Sequence, residues 1–256
     1  GSTPRFKIET EEVVFAQYAG SESCRECHLE AFDLWMPSNH KLAERQPSSE
    51  LDTNAFSNQA PFAHGGVETQ ARATENQFAI ATLSFDGQSK PHGIDRVIGH
   101  EPLRQFLVPH QGGRLQAVDA AYDPHAKNWF SVYGEEDRRP GEWGHWTGRG
   151  MNWNSMCASC HNTRLRKNYD SASDSYKTNM AEMSVGCEAC HGPLKKHVDW
   201  QHENSDQTKP DPTVTKLSRQ QSLDTCGSCH SRRSELTGDF KPGDAFEDHY
   251  NLTVPD

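Results

Sequence analysis

The cysteines of this chain constrain its fold more than any other feature, because all eight fall in one repeated pattern. The pattern is Cys-x-x-Cys-His, and it occurs as CRECH (24–28), CASCH (157–161), CEACH (187–191) and CGSCH (226–230), here called the first to fourth segments. Two cysteines so spaced can form thioethers with the vinyl groups of one porphyrin, while the adjacent histidine binds its iron. Zinc ribbons and disulfides also use cysteine pairs, but neither requires a histidine after every second cysteine. The pattern therefore predicts four covalently attached haems c.

Three side chains of each segment are predicted to hold one haem. The thioether residues are Cys24, Cys27, Cys157, Cys160, Cys187, Cys190, Cys226 and Cys229. The proximal iron ligands are His28, His161, His191 and His230. These segments use every cysteine of the chain and leave none for another role.

Composition agrees with a fold built around cofactors. Apolar residues make up 33% of the chain, below the roughly 45–50% of ordinary globular domains. Haems would supply the missing apolar core, so we expect folding to depend on them. The formal net charge of −10 argues against nucleic acid and anionic membrane surfaces as partners and favours basic redox proteins.

The same sequence indicates where the protein works. No apolar run approaches the length of a membrane span, so none is predicted. Haem c attachment normally takes place outside the bacterial cytoplasm. We therefore expect a periplasmic or extracellular protein, exported with a signal peptide that is then removed.

Residues 1–60 are predicted to form an N-terminal arm that carries the first segment. The apolar run VVFA (13–16) is a candidate short strand. After His28, apolar residues at positions 29, 32, 35 and 36 fall on one face of a short helix, which Pro37 ends.

Residues 61–133 show the pattern of strands. The candidate strands are VETQARAT (67–74), QFAIATLSF (77–85), GIDRVI (93–98), RQFLV (104–108), LQAVDA (115–120) and WFSVY (129–133). Turns are expected at Glu75-Asn76 and at Gly112-Gly113. This region is predicted to be an antiparallel β insertion between the first and second segments.

Residues 134–256 carry the other three segments and are predicted to be mostly short helices and loops wrapped on porphyrin. The expected fold class is therefore α+β, with short helices and loops around four haems plus the β insertion. We expect the three parts to form one compact unit.

Electron-transfer haems need a second axial ligand, and several histidines outside the segments are candidates. His40 lies twelve residues after His28. His145 lies in the tryptophan-rich stretch 142–154, which suggests the wall of a haem pocket. For both, an ordinary histidine, on the surface or bonded to backbone, is the open alternative.

Two later histidines are also candidates. His197 is only six residues past His191, too close to reach the opposite face of its own haem. It is therefore expected to bind the iron of a neighbouring haem, with a solvated histidine beside two lysines as the alternative. His249, near the end of the chain, is a further candidate.

Several stretches resemble the N-terminal haem region of bacterial multihaem cytochromes c, many of which carry C-terminal tetratricopeptide repeats. The stretches are YAGSESCRECH (18–28), SNH (38–40), EPLRQFLV (101–108), GGRLQA (112–117), HWTG (145–148), NWNSMCASCH (152–161), LRKNYD (165–170), VGCEACHGP (185–193) and His197-Val198. The resemblance covers roughly residues 18–256. More distantly, the chain resembles nitrifier-type tetrahaem electron carriers, whose haems stack in pairs with mostly bis-histidine iron.

The resemblance implies distal roles for His40, His145 and His197. It also points to His64, in FAHGGV (62–67), and to His249. The chain departs from the family in two ways. It ends without a further Cys-x-x-Cys-His, as a trimmed region or a shorter relative would, and His100 stands where an apolar residue is expected.

Electron transfer through closely packed, mostly bis-histidine haems is the leading functional hypothesis, and it needs no catalytic residue. One alternative is an oxidoreductase in which a five-coordinate haem reduces a small nitrogen or sulfur compound, with His92, His100 or Arg96 lining the distal pocket. Another is a subunit of an extracellular cytochrome filament, in which self-association supplies a distal histidine such as His249 from a neighbouring subunit. The donor and acceptor proteins are not identified by the sequence.

Overall fold

The computed structural model describes residues 9–57, 60–73, 77–204 and 209–253. Its helices are short. They are α1 (Glu11–Phe15), α2 (Leu29–Trp35), α3 (Ser49–Phe56), α4 (Trp153–Met156), α5 (Ala158–His161), α6 (Cys187–His191), α7 (Lys195–Glu203), α8 (Arg219–His230) and α9 (Phe246–His249). Two 3-10 turns, Ser21–Cys24 and Arg149–Met151, precede the first and second segments.

The strands pair antiparallel throughout the described residues. They are β1 (Glu44–Arg45), β2 (Phe62–His64), β3 (Val67–Ala73), β4 (Phe78–Leu83), β5 (Ser89–Gly93), β6 (Arg96–Ile98), β7 (Gln105–His110), β8 (Arg114–Ala117), β9 (Ala120–Asp123), β10 (Asn128–Ser131), β11 (Asn162–Arg166), β12 (Tyr169–Asp170), β13 (Ser175–Tyr176), β14 (Asn179–Met183), β15 (Arg233–Glu235) and β16 (Tyr250–Leu252). Two sheets have four strands, in the orders β1-β6-β7-β8 and β2-β3-β4-β5. The remaining strands form two-stranded ribbons, β9 with β10, β11 with β14, β12 with β13 and β15 with β16.

Strand β7 lies between two apolar clusters because successive side chains of a strand point to opposite faces. Phe106 and Val108 belong to the first cluster, with Phe56, Trp129 and Trp146 among its other members. Leu107, between them in sequence, belongs to the second cluster. The second cluster also contains Trp153 and Ala158, and the Cys157 side chain packs against it. Strands β1–β10, here called the β region, thus pack against the second segment.

The Gly112-Gly113 turn joins β7 to β8 as the sequence predicts. Both glycines have φ of +67°, a conformation that other residues rarely adopt. A Cβ at Gly113 would also meet the backbone carbonyl of Tyr176. The predicted turn at Glu75-Asn76 lies outside the described residues.

The mixed helix-and-strand architecture with antiparallel sheets confirms the α+β part of the expected fold class, and the four haems stay a prediction. Each of the six predicted stretches contains a strand, but GIDRVI includes the end of β5 and all of β6, and LQAVDA is divided between β8 and β9. The division into parts 1–60, 61–133 and 134–256, and the status of the middle part as an insertion, stay predictions.

One local prediction was wrong and one element was missed. VVFA lies in helix α1 and not in a strand, because Glu11 and Glu12 occupy the first turn, where acidic side chains favour a helix. Residues 162–183 contain the β11–β14 hairpin and not only helices and loops. Those strands, NTRLR and NMAEM, are mainly polar and lack the apolar alternation on which strand prediction depends.

The four segments contact one another in an order that differs from their order along the chain. Helix α5 of the second segment contacts α8 of the fourth, and α8 contacts α6 of the third. Helix α6 in turn contacts the 3-10 turn that opens the first segment. The contact order is therefore second, fourth, third and first.

None of the helices in the described parts of the chain combines the length and the apolar character that crossing a membrane requires.

Glu44 joins the β region to the second segment. Its side chain is fully buried and accepts hydrogen bonds from Arg96 (2.8 Å), Trp153 (2.8 Å) and Asn162 (2.6 Å). Trp153 and Asn162 flank CASCH on either side. A single carboxylate therefore anchors both ends of the second segment to strand β1.

Replacing Glu44 with Ala should destabilise the haem-loaded protein by about 3 kcal/mol, because Arg96 and two polar side chains lose a buried partner. The midpoint of denaturant unfolding, followed by far-ultraviolet circular dichroism, measures the effect. Glu22→Ala is the matched control, since Glu22 forms only an exposed pair with Arg25. Equal midpoints for the two variants would contradict this role for Glu44.

Candidate haem-attachment site

Each segment coincides with a short piece of helix or its boundary. The first segment starts in the 3-10 turn and ends at His28, which caps α2. His161, His191 and His230 are the last residues of α5, α6 and α8. A helical turn brings residues three apart to one face, so both cysteines of a segment approach the same side. None of the eight cysteines forms a disulfide.

Exposed apolar side chains adjoin three of the four segments. Leu29 follows the first, Met156 precedes the second and Leu223 precedes the fourth, and each is at least half exposed. Burying such a side chain against an apolar group removes it from water and is favourable. A flat apolar porphyrin attached at the neighbouring cysteines would cover them, so the residues present fit this cofactor.

The cysteines of different segments also lie close together. The neighbouring Cys187 thiol raises the pKa of Cys24. The Cys160 thiol raises the pKa of Cys229 in the same way. The first segment therefore meets the third, and the fourth meets the second, at their attachment points.

Two pairs of histidines that are distant in sequence lie close together in the structure. The ring centroids of His28 and His197 are 6.2 Å apart, and those of His40 and His230 are 6.1 Å apart. A histidine nitrogen binds a metal at about 2 Å, so two imidazoles on opposite sides of one metal have centroids roughly 6 Å apart. Both pairs therefore have the separation that shared ligation of one iron requires.

Hydrogen bonds fix which ring nitrogen carries the proton in two histidines, His161 and His197. The Nδ1 of His161 lies 2.7 Å from the carbonyl oxygen of Ala43. The Nδ1 of His197 lies 2.5 Å from a carboxylate oxygen of Asp211. Nδ1–H donates in each case, because the acceptors carry no proton to give. Nε2 is then left with a free lone pair, the form in which histidine binds a metal.

His64 and His145, predicted as distal ligands, meet in a polar pocket of the β region. They line it together with Asp119, Tyr133 and Arg138. Burial raises the pKa of Asp119 and lowers that of His145. Neither this pocket nor any other place in the described parts of the chain gathers three histidine, cysteine or acidic side chains around a metal position.

The remaining candidates lie apart from the two histidine pairs. The ring of His249 faces Thr237 through Nδ1 and Asp244 through Nε2. His92 packs edge-on against Trp146. His100 has a buried Nδ1 with no hydrogen-bond partner. Arg96 is held by Glu44 and lies over the Trp153 ring.

Sequence reasoning missed Glu188, the residue after the first cysteine of CEACH. Its buried carboxylate accepts hydrogen bonds from the backbone nitrogens of Ala19 (3.0 Å), Gly20 (2.7 Å) and Leu194 (2.6 Å). It thus holds the residues that precede the first segment against the third segment. An acidic residue between two haem cysteines is unremarkable in sequence, so nothing there signalled this role. Asp211 was missed for the same reason.

Residues 120–192, which include the second and third segments, match the family described as cytochrome c554 and c-prime. Comparison with curated protein sequences gives no match.

Two solved structures are similar. Over 93% of its length the chain shares the fold of the outer cell wall cytochrome OcwA, with a TM-score of 0.58 and 19% sequence identity. It spans only 45% of that chain. The undecahaem cytochrome from the S-layer of Carboxydothermus ferrireducens aligns with 89% of this chain and 26% of its own, at a TM-score of 0.49 and 19% identity.

Attachment segments on this fold define a c-type cytochrome with several covalently bound haems. With the family match over two of those segments, the chain is similar to bacterial multihaem cytochromes c.

Proposed function

We propose that this chain is a tetrahaem electron-transfer protein, with one haem c on each Cys-x-x-Cys-His segment and bis-histidine ligation of at least two irons. The observation that carries the proposal is the pairing of His28 with His197 and of His40 with His230 at 6.2 and 6.1 Å. A six-coordinate haem has no open position for a substrate. Two such irons are suited to electron transfer and not to substrate chemistry.

The pairing supports an assignment of two distal ligands. His197 serves the iron of the first segment, in keeping with the expectation that it binds a haem other than its nearest neighbour in sequence. His40 serves the iron of the fourth segment. His64, His145 and His249 remain candidates for the second and third segments, and no ring contact joins them to His161 or His191 in the described parts of the chain.

The remaining residues attach and orient the cofactors. When bound, haem supplies one-electron redox chemistry at its iron. The cysteines hold each haem covalently, and Glu188 and Glu44 fix the backbone around three of the segments. The Ala43 carbonyl orients His161. Contact between successive segments keeps the four attachment points together, as a multi-site electron carrier requires.

The proposed partners are redox proteins, with donor and acceptor open, and the proposed location is the periplasm or the cell exterior. The cell-wall cytochrome that shares this fold supports that location by analogy. The net charge of −10 favours partners with a basic docking surface.

The haem count is directly testable. Intact mass and pyridine haemochrome absorbance should give four haems per wild-type chain and three for Cys226→Ala/Cys229→Ala, because the fourth segment would lose both thioethers. Ser228→Ala, a change between those cysteines, is the control and should retain four. A wild-type count below four would contradict the proposal.

The proposed ligation by His40 predicts a spectroscopic change. His40→Ala should convert one haem of four from low-spin to high-spin in the ferric protein, because the iron at His230 loses its second ligand. Electron paramagnetic resonance measures the conversion. His202→Ala is the control, since His202 is exposed and faces only Glu26. A fully low-spin His40→Ala protein would rule out this pairing.

A second candidate function is reduction of a small nitrogen or sulfur compound at an open iron. The observation that favours it concerns the other two segments. Within the described residues, the rings of His161 and His191 contact no other histidine ring, unlike those of His28 and His230. An iron without a second histidine leaves a position for substrate.

Carbon monoxide separates the two functions. For an electron carrier with all irons six-coordinate, the spectrum of the reduced wild-type protein should not change when the gas is added. A shift in the Soret band equivalent to one or two haems per chain would instead favour the second function. Cyanide on the ferric protein provides an independent check of the same irons.

A further inference from the structure

We propose that Asp211 sets the reduction potential of the iron held between His28 and His197, lowering it by its contact with the axial imidazole. This inference rests on the proposed function, since it requires His197 to be an axial ligand. Asp211 belongs to none of the four segments and lies in the loop between α7 and α8.

The Asp211 carboxylate is bound on both of its oxygens. Oδ2 accepts from Nδ1 of His197 (2.5 Å) and from Nε2 of Gln201 (3.3 Å). Oδ1 accepts from the backbone nitrogen (2.7 Å) and the hydroxyl (2.6 Å) of Thr213. The Asp211 side chain is only 12% exposed. The loop therefore holds this charge in a defined place against the imidazole.

Helix α7 presents both of its partners on one face. His197 and Gln201 are four residues apart, so their side chains lie one above the other on the helix surface. The same oxygen of Asp211 receives both donors. Gln201 thus steadies the carboxylate in the position from which it reaches the histidine.

The acceptor on His197 differs in charge from the one on His161. His161 donates to a neutral backbone carbonyl, whereas His197 donates to a carboxylate. A carboxylate acceptor makes the imidazole a stronger electron donor to the metal. It also places a negative charge close to the iron, which stabilises the ferric form over the ferrous form. Both effects act in the same direction and lower the reduction potential.

The test is a spectroelectrochemical titration of the haem-loaded Asp211→Asn protein. The amide keeps an acceptor oxygen for Thr213 but removes the charge. We expect one haem to stay low-spin while its reduction midpoint rises by about 59 mV, which corresponds to a tenfold change in the one-electron equilibrium constant. The other midpoints should move much less.

Asp199→Asn is the matched control for charge. Asp199 is also close to His197, on helix α7, but it pairs with exposed Lys195 and does not touch a histidine. Its loss should leave the midpoints within a third of the Asp211→Asn shift. Thr213→Val controls for loop packing, because it removes a hydrogen bond from Asp211 and keeps the carboxylate.

The outcomes separate this inference from the proposed function. His197→Ala should make one haem high-spin, and a fully low-spin protein would overturn the axial pairing itself. If that variant behaves as expected but Asp211→Asn shifts no midpoint beyond Asp199→Asn, only the role of Asp211 is overturned. A shift in Thr213→Val as large as in Asp211→Asn would also overturn it, by placing the effect in the loop.

Discussion

The structure depends on contacts between segments that lie far apart in the sequence. His28 meets His197, His40 meets His230, Cys24 meets Cys187 and Cys160 meets Cys229. Each contact joins one haem segment to another or to the helix beside it. A chain with only 33% apolar residues has little core of its own to hold such parts together. Covalently attached haems would supply the apolar contacts that hold these parts together.

Carboxylates provide contacts between chain segments that the few apolar residues do not provide. Glu44 anchors both flanks of the second segment to the β region, and Glu188 ties the first segment to the third. Glu182 adds to the second of these links by accepting from the backbone and hydroxyl of Ser21. A buried charge is stable only when its hydrogen bonds are satisfied, so each carboxylate forces several chain segments into one place. This is how a polar sequence positions apolar cofactors.

Sequence reasoning succeeded where chemistry is local. A Cys-x-x-Cys-His pattern contains its own attachment geometry within one helical turn, and a short run of apolar residues such as FLV reveals a buried strand. It failed for the polar hairpin β11–β14, which shows no such alternation, and for VVFA, which is too short to distinguish strand from helix. It also missed Glu188 and Asp211, because an acidic residue in a loop or a short helix carries no local mark of its distant partners.

The sequence by itself determined the cofactor class, and it predicted the attachment residues and the candidate distal histidines, since each follows from residue type and short spacing. Only the tertiary structure decided which histidine faces which, and that the segments contact one another in the order second, fourth, third and first. It alone placed His64 and His145 together beside Asp119 in the β region. The physical reason is that ligand pairing is a through-space property. It depends on where α7, α8 and the N-terminal arm pack, and no short-range pattern in the chain encodes that packing.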